Sequence, residues 1–195
     1  MKKYSMIIWL LIFVLLMSVS TAQAQIGFRK GIKVGSNWAT ISNVDLDEVE
    51  SLNALTFGFS LELKVLNLLA VQGDLLYSPK GVTVAGEDTK LNYFSIPVVL
   101  KKSFFPVGIH PYLLAGPEFS FLLSAKAAGE NIKKQVKSGD TGIVIGGGIE
   151  FSFLGKSAYA EGRYSFGLSE IIESDVSLIE GAKNKVAQIY FGILF

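Results

Sequence analysis

The stretch "TFGFSLELKV", Thr56–Val65, sorts its residues by parity. Phe57, Phe59, Leu61, Leu63 and Val65 occupy alternate positions, and Gly58, Ser60, Glu62 and Lys64 fall between them. A repeat of two is the signature of a β-strand, whose successive side chains point to opposite faces. One face here is large and apolar and the other ends on an acid and a base. A soluble domain would turn the apolar face to its core. A membrane barrel would turn it to lipid and close the polar face inside.

The same pattern recurs along the chain. In "GIVIGGGIEFSF", Gly142–Phe153, Ile143, Ile145, Ile149, Phe151 and Phe153 share a face opposite Val144, Glu150 and Ser152. In "AYAEGRYSFGL", Ala158–Leu168, Tyr159, Glu161, Arg163 and Ser165 oppose Ala158, Ala160, Tyr164, Phe166 and Leu168. Eight β-type segments follow: Arg29–Thr40, Thr56–Val65, Leu69–Thr83, Leu91–Phe104, His110–Ala125, Thr141–Phe153, Ser157–Ser169 and Lys185–Phe195. The third and fifth alternate less cleanly. Most reach ten residues or more, the length that a tilted membrane-spanning strand needs (about 9–11), whereas strands of soluble domains centre on about 5–6.

The connections carry a second pattern. Those at Leu66–Leu68, Phe105–Ile109 and Leu154–Lys156 read as short. Those at Ile41–Leu55, Val84–Lys90, Lys126–Asp140 and Glu170–Asn184 read as longer. Short and long connections alternating along an antiparallel meander are the pattern of an outer-membrane barrel. The expected fold is therefore all-β: an eight-stranded antiparallel up-and-down transmembrane β-barrel with short periplasmic turns and longer extracellular loops. Lipid tolerates no unpaired strand edge, so the final run "KVAQIYFGILF", Lys185–Phe195, should close onto the first strand.

Before the first strand, Met1–Ala24 has Lys2 and Lys3, an apolar stretch from Met6 to Met17, and Ala22-Gln23-Ala24. That is the pattern of a cleaved secretory signal peptide, leaving residues 25–195 as one barrel domain. Without Lys2 and Lys3 the remainder carries one more acid than base, a balance that gives no reason to expect nucleic acid. The absence of cysteine excludes a disulfide-stapled extracellular module.

Alternation places Lys33, Asn37, Glu62, Lys64, Gln72, Asp74, Lys101, Glu118, Glu150, Glu161, Arg163 and Gln188 on the lumen face. Eight strands enclose a space only wide enough for side chains, so the acids and bases should pair into an interior salt-bridge network. An ion path and a ligand or catalytic role are the alternatives for the same residues; Glu118 with Glu150 is the carboxylate pair to consider. One histidine, His110 in "VGIHPY", falls at an expected periplasmic turn, and no metal-ligand or EF-hand spacing occurs. Gly146–Gly148 lacks the Lys-Ser/Thr of a phosphate loop and reads as room for neighbours such as Tyr159 or Arg163. Trp38, Tyr77, Tyr93, Phe104, Phe105, Tyr112, Tyr159 and Tyr190 fall towards strand ends, which suggests aromatic girdles.

Three stretches together, "GIKVGSNWATIS" (Gly31–Ser42), "FSIPVVLKKSF" with "PYLLAGPEFSFLLS" (Phe94–Ser124) and "EGRYSFGLSEI" (Glu161–Ile171), resemble the PorT-like outer-membrane β-barrel family of Gram-negative bacteria. The resemblance implies an exported outer-membrane protein and, for the name-giving group, a link to protein secretion. "YFGILF" likewise resembles the terminal insertion signal of outer-membrane barrels, with Tyr190 and Phe195 as its aromatics.

The expected function is a non-enzymatic membrane anchor or scaffold whose extracellular connections, Lys126–Asp140 and Glu170–Asn184, do the binding. Expected partners are outer-membrane lipid, the barrel-assembly machinery during insertion and an extracellular or periplasmic protein; no cofactor and no nucleic acid are expected. The alternative is a soluble periplasmic lipocalin-like carrier of a small apolar ligand, which needs the opposite facing of Phe57 and Glu62. A membrane enzyme and an open pore are further readings, the first lacking a convincing nucleophile–base set.

Overall fold

The computed structural model describes residues 27–42, 49–66, 68–84, 87–105, 108–127, 129–133, 136–169 and 183–195. The expected signal peptide, Met1–Ala24, lies outside them. The strands are β1 (Gly27–Ser42), β2 (Val49–Leu66), β3 (Leu69–Val84), β4 (Glu87–Ser103), β5 (Ile109–Ala127), the two-residue β6 (Glu130–Asn131), β7 (Gly139–Phe153), β8 (Lys156–Gly167) and β9 (Lys183–Leu194). Each long strand pairs antiparallel with its neighbours in sequence, β5 with β7, and β9 closes onto β1. The result is a closed barrel of eight strands, with β6 as a short extension folded back on the end of β5.

Closure carries a fixed stagger. Partner to partner, the register runs from Phe28 on β1 through Leu63, Val71, Leu100, Ala115, Ile145, Tyr164 and Ala187 back to Trp38 on β1. The return point is ten residues further along the same strand. Such a stagger requires tilted strands, and with eight of them the bore is narrow enough for side chains to fill.

The facing follows the sequence parity. Leu55, Phe57, Phe59, Leu61 and Leu63 of β2 point outward, 41–65% exposed, while Ser60 and Glu62 are buried at 0% and 1%. On β7, Ile143, Ile145, Ile149 and Phe151 are exposed and Val144 and Glu150 buried. The same sorting runs around the whole barrel, giving an apolar outer wall and a polar lumen. That facing is opposite to the one a lipocalin-like carrier requires, so the soluble alternative has no support here.

The connections differ from the sequence expectation. β1 reaches Ser42 and β2 starts at Val49, so most of the expected long loop Ile41–Leu55 is paired strand. The expected Val84–Lys90 connection shrinks to residues 85–86, shorter than the Phe104–Gly108 connection at the other end. The alternation of short with long is therefore not strict. At the loop end both strand faces leave the lipid, the apolar/polar contrast vanishes, and the sequence reads as loop. The ladder itself needs only backbone groups, and it continues. At the opposite end the β7–β8 hairpin turns on two residues with positive φ, Leu154 (46°) and Gly155 (76°), as a tight primed turn requires.

Candidate functional site

The lumen is the chemically distinctive part of the molecule. Its side chains come from alternate positions of all eight long strands and stack in tiers from the turn end to the loop end. The tier nearest the turns joins Arg29 of β1, Glu62 of β2, Lys101 of β4 and Glu150 of β7. Lys101 Nζ donates to Glu62 Oε2 at 3.0 Å and to Glu150 Oε2 at 2.6 Å. Arg29 donates from Nε to Glu62 Oε1 at 3.0 Å, from Nη2 to Glu150 Oε2 at 3.2 Å and from Nη1 to the Ser157 hydroxyl at 3.0 Å. Two cations and two carboxylates thus close a ring of alternating sign.

The middle tier repeats the arrangement. Lys33 Nζ donates to Asp74 Oδ2 at 2.9 Å and to Glu161 Oε1 at 3.2 Å. Arg163 Nε donates to Glu161 Oε1 at 2.7 Å, and its Nη2 lies 2.8 Å from Asp74 Oδ2. Gln72 donates to Asp74 and Tyr112 to Glu161, at 3.0 and 2.9 Å. The upper tier sets Lys80 against Glu118 at 3.1 Å and Asp140 at 3.7 Å, with Asn184 donating to Asp140 at 2.8 Å. Beside it Asn37 donates to the Ser78 hydroxyl and the Pro79 carbonyl, both at 2.9 Å, and Gln188 donates to Asn37 at 3.3 Å. An apolar cluster of Leu91, Tyr93, Leu122, Ala125 and Val136 packs against the inner face of β4 and β5 at the loop end, with Ile132 packed against it.

Within the lumen five cations, Arg29, Lys33, Lys80, Lys101 and Arg163, meet six carboxylates. Pairing of this kind is what burial demands, because removing one partner strands the other charge at a cost of about 3–5 kcal/mol. Lys64 shares the lumen-side parity yet is half-buried, at the turn-end mouth, where it lines a cavity with Arg29, Glu62, Lys101, His110 and Glu150. Sequence parity had not brought Arg29, Lys80 or Asp140 into the set. Lys80 shares the face of Gln72 and Asp74, so its signal is present in the sequence; Asp140 falls in the expected connection Lys126–Asp140.

The expected aromatic girdle needs correction at four positions. Tyr93, Tyr112, Tyr159 and Tyr190 are 1, 2, 6 and 0% exposed, inside the barrel. Their rings carry the buried cations: Lys101 lies 4.1 Å from the Tyr112 ring centre, Lys33 4.8 Å from Tyr190, Lys80 5.0 Å from Tyr93 and Arg163 5.4 Å from Tyr190. A ring face attracts a cation while filling volume, which suits a lumen rich in ammonium and guanidinium groups. Glycines make the space. A Cβ at Gly148 would meet the Tyr112 hydroxyl at 2.7 Å, and one at Gly146 would meet Arg163 Cγ at 3.0 Å. Tyr159 is accommodated by Gly192, outside the glycine triplet.

Other candidates resolve simply. At the start of β5 the His110 ring Nδ1 lies 2.6 Å from the carbonyl oxygen of Phe105 in the turn-end connection. Glu118 and Glu150 belong to different tiers with different cations, so they do not form a carboxylate pair. The expected recognition surface Glu170–Asn184 falls for the most part outside the described residues. Lys126–Asp140 contributes β6 and, through Val136, part of the apolar cluster at the loop end.

Comparison with known proteins agrees with this architecture. Residues 21–173 match the family described as Outer membrane protein beta-barrel domain. Among solved structures, Neisserial surface protein A superposes with a TM-score of 0.60 at 16% identity, covering 86% of this chain and 95% of that one. The outer membrane protein OprG of Pseudomonas aeruginosa gives 0.53 at 14% identity, covering 89% and 98%. Ail, the attachment invasion locus protein of Yersinia pestis, gives 0.50 at 13% identity, covering 86% and 98%. At these identities the likeness is one of fold. No curated protein sequence matches the chain significantly.

Proposed function

The chain belongs to the outer membrane protein beta-barrel domain family, and from that premise we propose that it is a non-enzymatic membrane anchor whose loop end presents an interaction surface to a protein partner. The observation that carries this reading is the filled lumen. Its acids and bases are committed to one another in tiers, which argues for a structural interior over a catalytic or conducting one. Binding is then left to the loop end, where rigid scaffolds commonly carry their function.

Within this reading the chain is exported by its first 24 residues and inserted with Tyr190 and Phe195 as the aromatics that the assembly machinery reads. The family resemblance further favours a PorT-like member with a place in protein secretion. The test is membrane fractionation with gel mobility before and after boiling. Recovery in the outer membrane with a heat-dependent shift in mobility is expected. Recovery as a detergent-free periplasmic protein would overturn the reading. Crosslinking from the loop end should capture a protein partner, and its absence in intact cells would remove the scaffold role.

A further inference from the structure

The two ends of the barrel differ in charge. At the turn end, Glu62 and Glu150 are the side-chain carboxylates among the described residues, and both are buried in ion pairs. The acid-rich stretches Asp45–Glu48 and Glu170–Asp175 lie outside the described residues; among those described, the exposed Glu130 stands at the loop end on β6. Three outward-facing, exposed lysines sit at the turn end: Lys30 on β1, Lys102 on β4 and Lys156 at the start of β8.

Their placement is regular. In the order of strands around the barrel, β1 to β4 is three steps, β4 to β8 is three steps and β8 to β1 is two. Each lysine also has an exposed phenylalanine beside it. Lys30 Nζ lies 5.8 Å from the centre of the Phe195 ring. Phe153 is the cross-strand partner of Lys156. Phe104 follows Lys102 by two residues and keeps the ladder through its N–H to the Pro111 carbonyl at 3.0 Å. Phe104, Phe153 and Phe195 are each 41–47% exposed.

We propose that Lys30, Lys102 and Lys156 form a collar that binds the phosphates of anionic phospholipids in the leaflet facing the turns. A lysine at the edge of an apolar wall lays its methylenes along that wall and extends its ammonium to the headgroup level. The neighbouring ring marks the same boundary from the hydrocarbon side. An exposed side-chain carboxylate would offset the attraction, and none stands among the described residues of this end; the α-carboxylate of Phe195, beside Lys30, weakens the contribution of that one lysine. A single docked protein would call for lysines gathered on one side. Spacing around the whole circumference matches a continuous ring of headgroups. The inference rests on the membrane-barrel reading.

The test uses the full chain folded in a zwitterionic detergent, with retention of its heat-dependent gel mobility as the check on folding. Native mass spectrometry with an equimolar mixture of phosphatidylglycerol and phosphatidylcholine of identical chains then reads lipid preference. The unaltered protein should prefer phosphatidylglycerol. Each of Lys30→Gln, Lys102→Gln and Lys156→Gln should lower that preference, by up to roughly fivefold per lysine. The triple arginine replacement should retain it. Lys126→Gln with Lys185→Gln, at the loop end, should leave it unchanged. Equal binding of the two lipids by the unaltered chain, or an unchanged preference in a folded triple glutamine variant, would overturn the collar. If the triple variant fails to fold, the three single variants decide on the same readout. A chain that stays soluble without detergent would instead remove the barrel reading before any lipid is added.

Discussion

Arg163 of β8 reaches Asp74 of β3, with Nη2 2.8 Å from Oδ2, and the two strands lie four steps apart in either direction around the barrel. The pair therefore spans the lumen across its width and ties opposite walls together. Lys33 and Glu161 complete the set, and the four charges cancel. Asp74→Ala leaves two cations facing one carboxylate and should destabilise the folded barrel by about 3–5 kcal/mol. Removing both partners, Asp74→Leu with Arg163→Leu, leaves Lys33 paired with Glu161 and should cost less than the sum of the single changes by at least about 1 kcal/mol. Urea unfolding in micelles, followed by Trp38 fluorescence, measures both. Additive losses would mean that the two side chains do not interact.

The facing of the wall predicts a second asymmetry. Ile145 is 46% exposed on the outer face of β7 and its neighbour Val144 is fully buried in the lumen. With lipid outside, Ile145→Arg should cost up to about 2–4 kcal/mol, as charges do on the lipid face of such barrels near the bilayer midplane. In a soluble protein the same change at an exposed site would be close to neutral. Unfolding in vesicles decides it, and a loss below about 0.5 kcal/mol would count against lipid contact at this position.

How far the sequence speaks depends on whether an inward residue is polar. Glu62, Glu150, Glu161 and Arg163 stand out because their neighbours on both sides in the strand are apolar or small. β3 and β5 read less cleanly because their inward rows include Leu76, Tyr112, Leu114 and Leu122. An apolar residue inside a polar lumen looks the same in sequence as one facing lipid. The inward tyrosines misled for a related reason: their position near strand ends suggested an interface, whereas the side of the strand decides where a ring goes. Asp140 and the early part of β2 were hidden because strands continue beyond the membrane, where nothing in composition distinguishes paired strand from loop.

The glycines give a prediction with an internal control. At Gly148 an added Cβ would collide with the Tyr112 ring and the Ala160 carbonyl, whereas at Gly162 it would meet nothing within 4 Å. Gly148→Val should therefore force Tyr112 off Glu161 and cost about 1–3 kcal/mol or more. Gly162→Ala, on the outward face, should be neutral or stabilising by up to about 1 kcal/mol through the narrower unfolded ensemble. Equal effects at the two sites, in parallel denaturation curves, would contradict the packing of Tyr112.

Two barriers lie in series along the lumen, and electrical measurement separates them. At the loop end Leu91, Tyr93, Leu122, Ala125 and Val136 pack together on the inner face of β4 and β5, and the tiers of ion pairs lie beneath. In planar bilayers the unaltered protein should pass no steady current. Tyr93→Ala with Leu122→Ala removes the bulk of the apolar cluster and leaves Lys33, Asp74, Glu161 and Arg163 untouched, so it too should pass none. A current in the double variant alone would place the seal at the apolar cluster and show that water threads the charged tiers. A steady current in the unaltered protein would contradict the filled lumen outright. The expected silence of both follows from the geometry: a bore set by eight strands and a stagger of ten residues is occupied across its width by side chains that hold one another by charge.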